Sequence, residues 1–440
     1  DWFPSAGSHP TIIFEAGRDG LGLSAERGIV DEYTILAGSS GADNRLKAGA
    51  GPPLSVSRLA SASTSLTTGS GFHCAIASDG AAWCWGSDDK GKLGHGGSDS
   101  GVPVRVSLPE GRTMVDISAA RSHACGIMDD GVTVCWGLGS NGRLGYSSSD
   151  TRSKSTPTPV LLPADRDAVS VGTGETYSCS ALDDGRIMCW GNGASGQLGR
   201  GSTASSNLPV QVSLPDGAQA VQVELAKNHA CAILTDGDLM CWGENGQGQL
   251  GIGSTVDSHV PVSVNLPDGV RVTDVSVAQK HGCLLLDNGS VMCWGYGYGV
   301  IGDGWYTDLD EPTYVDIPED RYAIDVAVGS GHSCVVLDNG SAMCWGQAAH
   351  GKLGISSFSQ YNDRHYSQVP EAPPTYVSLP ADRQAVAITS GCVILADGDL
   401  MCWGEGDDRL GDGSSNQANC QIGTPEERAC SWSPVFVDNT

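Results

Sequence analysis

In the stretch "CAILTDGDLMC", Cys231 to Cys241, two thiols stand ten positions apart with an Asp-Gly pair between them. Thiols at fixed spacing offer two chemistries, oxidation to a disulfide or thiolate ligation of a metal such as zinc. Zinc knuckles use short Cys-x2-4-Cys spacings, so the nine residues intervening here argue against ligation. A three-residue loop, Thr235, Asp236 and Gly237, pairs Leu234 with Asp238, Ile233 with Leu239, Ala232 with Met240 and Cys231 with Cys241. Directly opposed positions on antiparallel strands bring Cβ atoms within bridging reach, and a disulfide is expected.

The same word occurs seven times, giving the pairs Cys74 and Cys84, Cys125 and Cys135, Cys179 and Cys189, Cys231 and Cys241, Cys283 and Cys293, Cys334 and Cys344, and Cys392 and Cys402. Asn288 and Asn339 replace Asp in two turns without changing the turn chemistry. An eighth pair, Cys420 and Cys430, lies outside the repeat and is expected to close a loop in a C-terminal extension. Each hairpin link should stabilise its blade by roughly 2 to 3 kcal/mol through unfolded-state entropy. Sixteen cysteines at regular spacing point to an oxidising compartment, hence an extracellular or cell-surface location.

These cysteine words recur with a period in the low fifties that stretches to 58 at the last step. Alternating segments such as "PVRVSLP" at Pro103, "PVQVSLP" at Pro209 and "PTYVSLP" at Pro374 stand upstream of the hairpins, and runs such as "AVQVELA" lead into them. Each unit thus supplies four short antiparallel strands and no helix, and the 61 glycines suit turns better than long helices. An all-β seven-bladed propeller follows, one sheet per repeat around an axis. Pro434 to Val437 repeats the first strand of a unit that has no remainder, and is expected to complete the blade begun near the N-terminus and close the ring. The domain reading is an extension over residues 1–51, able to pack on its own propeller or add a strand to a neighbour, and a propeller over 52–440 with a disulfide loop at 420–430.

A tryptophan precedes glycine in every unit, at Trp85, Trp136, Trp190, Trp242, Trp294, Trp345 and Trp403. An identical large residue in each unit answers a repeated packing problem, the gap between neighbouring blades, rather than forming a ligand-stacking ring. His123, His229, His281 and His332 share one repeat position that Tyr177 and Ser390 fill elsewhere. Ring symmetry spreads them over different blades, so a buried hydrogen-bonding role is expected instead of a metal or catalytic site.

The acidic loops "GSDDKG" at Gly86 and "EGDDRLGDGSS" at Glu405 offer oxygen ligands for Ca²⁺, but neither has the spacing of a calcium loop, and solvated loops are the reading adopted. Asn288-Gly289-Ser290 and Asn339-Gly340-Ser341 satisfy the N-glycosylation pattern while also sitting where the hairpin wants Asn-Gly. No nucleophile elbow, phosphate-cradling loop, zincin helix or paired-carboxylate motif stands out, so no catalytic residue and no cofactor is assigned. A formal charge of -26 would repel nucleic acid, and no apolar run reaches the length of a membrane span.

The words His-x-Cys-Ala, Asp-Gly, Cys-Trp-Gly and Gly-x-Leu-Gly together resemble the regulator-of-chromosome-condensation repeat, in the disulfide-containing form of extracellular repeats. The resemblance covers about residues 52 to 440 and implies a seven-bladed propeller, a fold shared with a secreted bacterial β-lactamase inhibitor. Charge and cysteines separate this chain from the basic nuclear members, so neither chromatin binding nor nucleotide exchange is carried over.

A non-enzymatic extracellular scaffold is expected, binding a protein partner or copies of itself at a cell surface, matrix or filament, with glycan binding left open. A monomeric secreted inhibitor or receptor ligand is the alternative, and a secreted hydrolase with a channel-mouth site the third. The largest insertion, Ser356 to Pro374, offers Tyr361, His365 and Tyr366 as contacts, and the loop before the sixth hairpin offers Trp305 and Tyr306.

Overall fold

The computed structural model describes residues 45–47, 63–297, 299–302, 307–348, 351–355, 372–405 and 430–437. These form seven antiparallel sheets of four strands, the first carrying a fifth strand, Arg45–Lys47. The fourth blade is representative. Its inner strand is Ala220–Leu225, the hairpin strands are His229–Leu234 and Leu239–Gly243, and the outer strand is Ser258–Ser263. Two short 3-10 segments, Asp89–Gly91 and Ser140–Gly142, interrupt the strands.

The hairpin register is the one the turn chemistry dictates. Cys231 faces Cys241, Ala232 faces Met240 and Ile233 faces Leu239, while Gly237 at φ +87° supplies the left-handed residue that closes the loop. All seven hairpin pairs are disulfides in the structure, with Cα atoms 4.0 to 4.1 Å apart. Cys420 lies outside the described residues, so the eighth pair does too.

Two expectations about connectivity are corrected. Segments such as "PVRV" do not open the unit that follows them. Ser100–Arg105 is the outer strand of the first blade, paired with Ala82–Gly86, and each later segment likewise joins the preceding hairpin. Nor does the C-terminal strand reach the N-terminal blade. Cys430–Phe436 pairs with Leu400–Glu405 as the outer strand of the seventh blade. The reason is phase: a periodic sequence has no marked start, and once blades begin at the inner strand Ser63–Gly69, the C-terminal strand falls due as the fourth strand of the seventh blade.

The ring closes instead through side chains. Leu66, Ala75 and Trp85 of the first blade share one buried cluster with Ala387, Cys392 and Ile394 of the seventh, and Thr68 Oγ1 donates to Thr389 Oγ1 at 3.2 Å. Elsewhere tryptophan forms the joint. The Trp of each repeat is buried, and Trp136, Trp190, Trp242, Trp294, Trp345 and Trp403 donate Nε1–H at 2.8 to 2.9 Å to a carbonyl of the preceding blade, at Lys92, Arg143, Gln197, Gln249, Val300 and Lys352. The ring therefore fills the gap with its face and satisfies its polar edge. The last glycine of Gly-x-Leu-Gly makes room: at Gly199, φ +66°, a Cβ would stand 2.8 Å from Trp242 Nε1.

A second joint runs around the axis. In the second to seventh blades the inner strand has no sheet neighbour on its channel side among the described residues, so its outward N–H groups need other acceptors. The preceding blade supplies them: Thr67 Oγ1 accepts from Ala119 N at 3.0 Å, Ser118 Oγ from Thr173 N at 3.1 Å, Ser276 Oγ from Val328 N at 2.8 Å and Asp325 Oδ2 from Ile388 N at 2.7 Å.

Candidate binding site at the channel mouth

Each inner strand turns into its first hairpin strand through a tight connection, and these connections gather around one end of the axis. Every blade contributes wall residues to a single cavity of about 580 Å³ there, so the cavity is axial. Three cations line it, Arg121, Lys227 and Lys352, against one carboxylate, Glu175. Arg121 pairs with Glu175, and Lys227 Nζ lies 3.5 Å from it.

The variable position of Gly-x-Leu-Gly supplies Lys352 and two further cations, Lys92 and Arg143. Lys92 Nζ donates to Ser70 O at 3.2 Å, Arg143 Nη1 to Glu175 O at 2.8 Å and Lys352 Nζ to Ser330 O at 2.9 Å, each pinning a connection at the mouth. Within a chain of charge -26, this rim is locally cationic. Such a rim attracts carboxylates or other anions, and Thr68, Ser70, Thr173 and Ser330 on the wall offer polar groups beside the apolar ones.

The repeated histidines are buried, as their position in the repeat implies. His123 Nε2 lies 2.8 Å from Ser178 Oγ of the next blade, and His281 Nε2 lies 3.1 Å from Ser333 Oγ. These look like nucleophile and base, but the protons run the wrong way. Each serine already donates to a carbonyl, Ser178 to Arg143 O and Ser333 to Val300 O, both at 3.0 Å. The histidine must then donate Nε2–H to the hydroxyl and cannot act as its base. His332 Nε2 contacts Ser390 O. His229 faces a blade with Gly282 at the serine position, and neither ring nitrogen has a hydrogen-bond partner among the described residues.

Burial lowers all four histidines. It holds His123 well below its usual range, with the Arg143 charge adding to the effect. Burial and then His281 bring His229 to about 3, burial and then His332 bring His281 to about 3, and burial and then Lys352 bring His332 to about 4.

The acidic loop at Gly86 is tied to itself: Asp88 Oδ1 accepts from Leu93 N at 2.8 Å, the place Asn245 takes toward Leu250 N at 2.9 Å in the fourth blade. Its carboxylate therefore shapes the loop. The Glu405 loop beyond that residue lies outside the described residues. Asn288 and Asn339 stand exposed at hairpin tips and accept from Ser290 N at 2.9 Å and Ser341 N at 3.0 Å, the turn role expected of them. Trp305, Tyr306, Tyr361, His365 and Tyr366 all lie outside the described residues. The cations of the mouth were overlooked in the sequence, although the words "ARSH" and "AKNH" display Arg121 and Lys227 just before their hairpins.

Residues 35–391 match the family model of the RCC1-like domain. The chain is 25% identical over 362 residues to the ultraviolet-B receptor UVR8 of Arabidopsis thaliana, covering 80% of each. It is 31% identical over 261 residues to the human E3 ubiquitin-protein ligase HERC2, matching 59% of this chain but 5% of that much longer protein. Among solved structures, Prp20p of Saccharomyces cerevisiae superposes with a TM-score of 0.62 at 22% identity, over 74% of this chain and 80% of that one. At that identity the likeness concerns the fold. With more than half of its length matched and seven such blades in place, the chain belongs to the RCC1-like domain family of β-propellers.

Proposed function

We propose that this propeller is a non-enzymatic protein-binding scaffold outside the cell or at its surface, and that it takes an acidic segment of a partner protein at its channel mouth. The observation that carries the reading is the axial cavity of about 580 Å³, walled by all seven blades and rimmed by Arg121, Lys227 and Lys352. A rigid ring that sets three cations around a well of mixed polar and apolar walls can bind a carboxylate-rich loop while its shape limits what enters. The disulfide in each blade supports an oxidising compartment. The structure of Prp20p is described together with its binding to Gsp1p and histones, which supports a protein partner on this fold. The proton arrangement of the Ser-His pairs supports a role without catalysis.

A labelled peptide of ten Asp and Glu residues is the probe. Fluorescence anisotropy should show saturable binding at low ionic strength, weakened at least about tenfold by Arg121→Glu/Lys227→Glu and by raising salt to about 0.3 M. No saturable binding at low salt, or equal binding by the variant, would overturn the reading.

A further inference from the structure

One repeat position, two residues before the first hairpin strand, holds Ser70, Arg121, Glu175, Lys227, Gln279 and Ser330 in six consecutive blades. All six line the axial cavity. The cysteines and tryptophans of the repeat are the same in every unit, whereas this position changes from blade to blade, so a shared packing problem does not dictate it. Its charges fall in three neighbouring blades, in the order cation, carboxylate, cation.

The carboxylate is held by its backbone, while the cations reach it through exposed side chains. Gly174 N donates to Tyr177 O at 2.9 Å and Asn192 N to Thr176 O at 3.0 Å, which fixes the connection that carries Glu175. The buried Arg143 donates Nη1–H to Glu175 O at 2.8 Å, and its Nε and Nη2 are anchored on Ser140 at 2.9 and 3.1 Å. The Glu175 side chain is 20% exposed, against 66% for Arg121, which pairs with it, and 41% for Lys227, whose Nζ lies 3.5 Å away. Burial lowers the Arg143 guanidinium, Glu175 raises it and Arg121 lowers it again, so these charges act on one another. Ion pairs this open to water are worth little, because each charge gives up part of its hydration for one partner. Arg121 and Lys227 can therefore leave Glu175 for another carboxylate with little loss.

We propose that Glu175 is an internal competitor at the mouth: a tethered stand-in for the partner's carboxylate, which an incoming acidic segment must displace from Arg121 and Lys227 in order to bind. The inference rests on the reading of the mouth as the site for an acidic segment and adds to it the residue that sets its affinity. Tethering gives the internal carboxylate a high effective concentration beside the two cations, so a ligand with one carboxylate competes poorly and a carboxylate-rich segment, engaging both cations at once, competes well. Without a partner, Glu175 also holds together Arg121, Arg143 and Lys227, cations that would otherwise repel one another and draw in any small anion.

A double-mutant cycle on the full chain tests this, read by fluorescence anisotropy at low ionic strength with the labelled peptide of ten Asp and Glu residues. Glu175→Gln keeps the size of the side chain and removes its charge, and should bind the peptide at least about fivefold more tightly than the wild type. In the background Arg121→Gln/Lys227→Gln, where there is nothing left to compete for, the same change should gain no more than about twofold. Weaker or unchanged binding by Glu175→Gln, the result expected if Glu175 only positions the cations, would overturn the inference and leave the mouth reading in place, since the peptide still binds. A gain that persists in full without Arg121 and Lys227 would overturn it as well, because repulsion at a distance would then account for the effect. No saturable binding by any of the four proteins removes the mouth reading itself, and this inference with it. Should Glu175→Gln fail to fold, Glu175→Ala takes its place in the cycle and is judged by the same outcomes.

Discussion

At the scale of single residues, the tightest constraints are those that join one blade to the next. Tryptophan does so with both its face and its N–H, which is why Gly199 and its counterparts must lack a side chain. The buried histidines do so less evenly, and His229, whose ring nitrogens have no described hydrogen-bond partner, is the weak case. A buried polar group without a partner costs about 1 to 3 kcal/mol. His229→Leu should accordingly melt at or above the wild type near pH 7. It should also change the acid response. Folded values of about 3 to 4 for His229, His281 and His332 lie below the unfolded value near 6.5. Their contribution is complete above about pH 6.5 and is lost as pH falls toward the folded values. Asp325, raised in the fold, acts in the opposite sense, penalising the fold as pH rises from its unfolded value. Thermal melts at about pH 7 and pH 5 should show a smaller drop for His229→Leu than for the wild type, and an equal or larger drop would refute the assignment.

At the scale of elements, the unit of stability is the bridged hairpin. Facing cysteines join strands that the Asp-Gly turn already places side by side, so the link acts chiefly on the unfolded chain. Cys231→Ala/Cys241→Ala should cost roughly 2 to 3 kcal/mol, felt mostly within the fourth blade, because blades touch only their neighbours. Hydrogen exchange should report faster opening of His229–Gly243 with little change three blades away; a uniform loss around the ring would show that blades do not open separately. Hairpin register was legible in the sequence because its determinants lie within ten positions of each other. The polar contacts between inner strands were not. Their partners, such as Thr67 with Ala119 or Asp325 with Ile388, are 52 and 63 positions apart, and only the ring brings them together.

At the scale of the whole molecule, closure by side-chain packing has a measurable consequence. Ending the chain after Glu405 removes the outer strand Cys430–Phe436 and bares the edge of Leu400–Glu405. An open edge seeks another strand, so light scattering should detect self-association of the truncated chain. Protection in the first blade should persist, since its joint with the seventh runs through Leu66, Ala75 and Trp85. Loss of protection there as well would restore a strand clasp across the seam.

By itself the sequence determined the repeat, the four strands of each blade, the hairpin pairing and the partners of the fourteen hairpin cysteines, because each follows from turn residues and alternation over short spans of chain. Only the tertiary structure decided where a blade begins, how the ring is sealed, and that Arg121, Lys227 and Lys352, each in a different blade, share one cavity with Glu175. Periodicity conveys what is equivalent in every unit. What is unequal among units, a cation here and a carboxylate there, gains meaning only when rotation about the axis brings those unlike positions face to face.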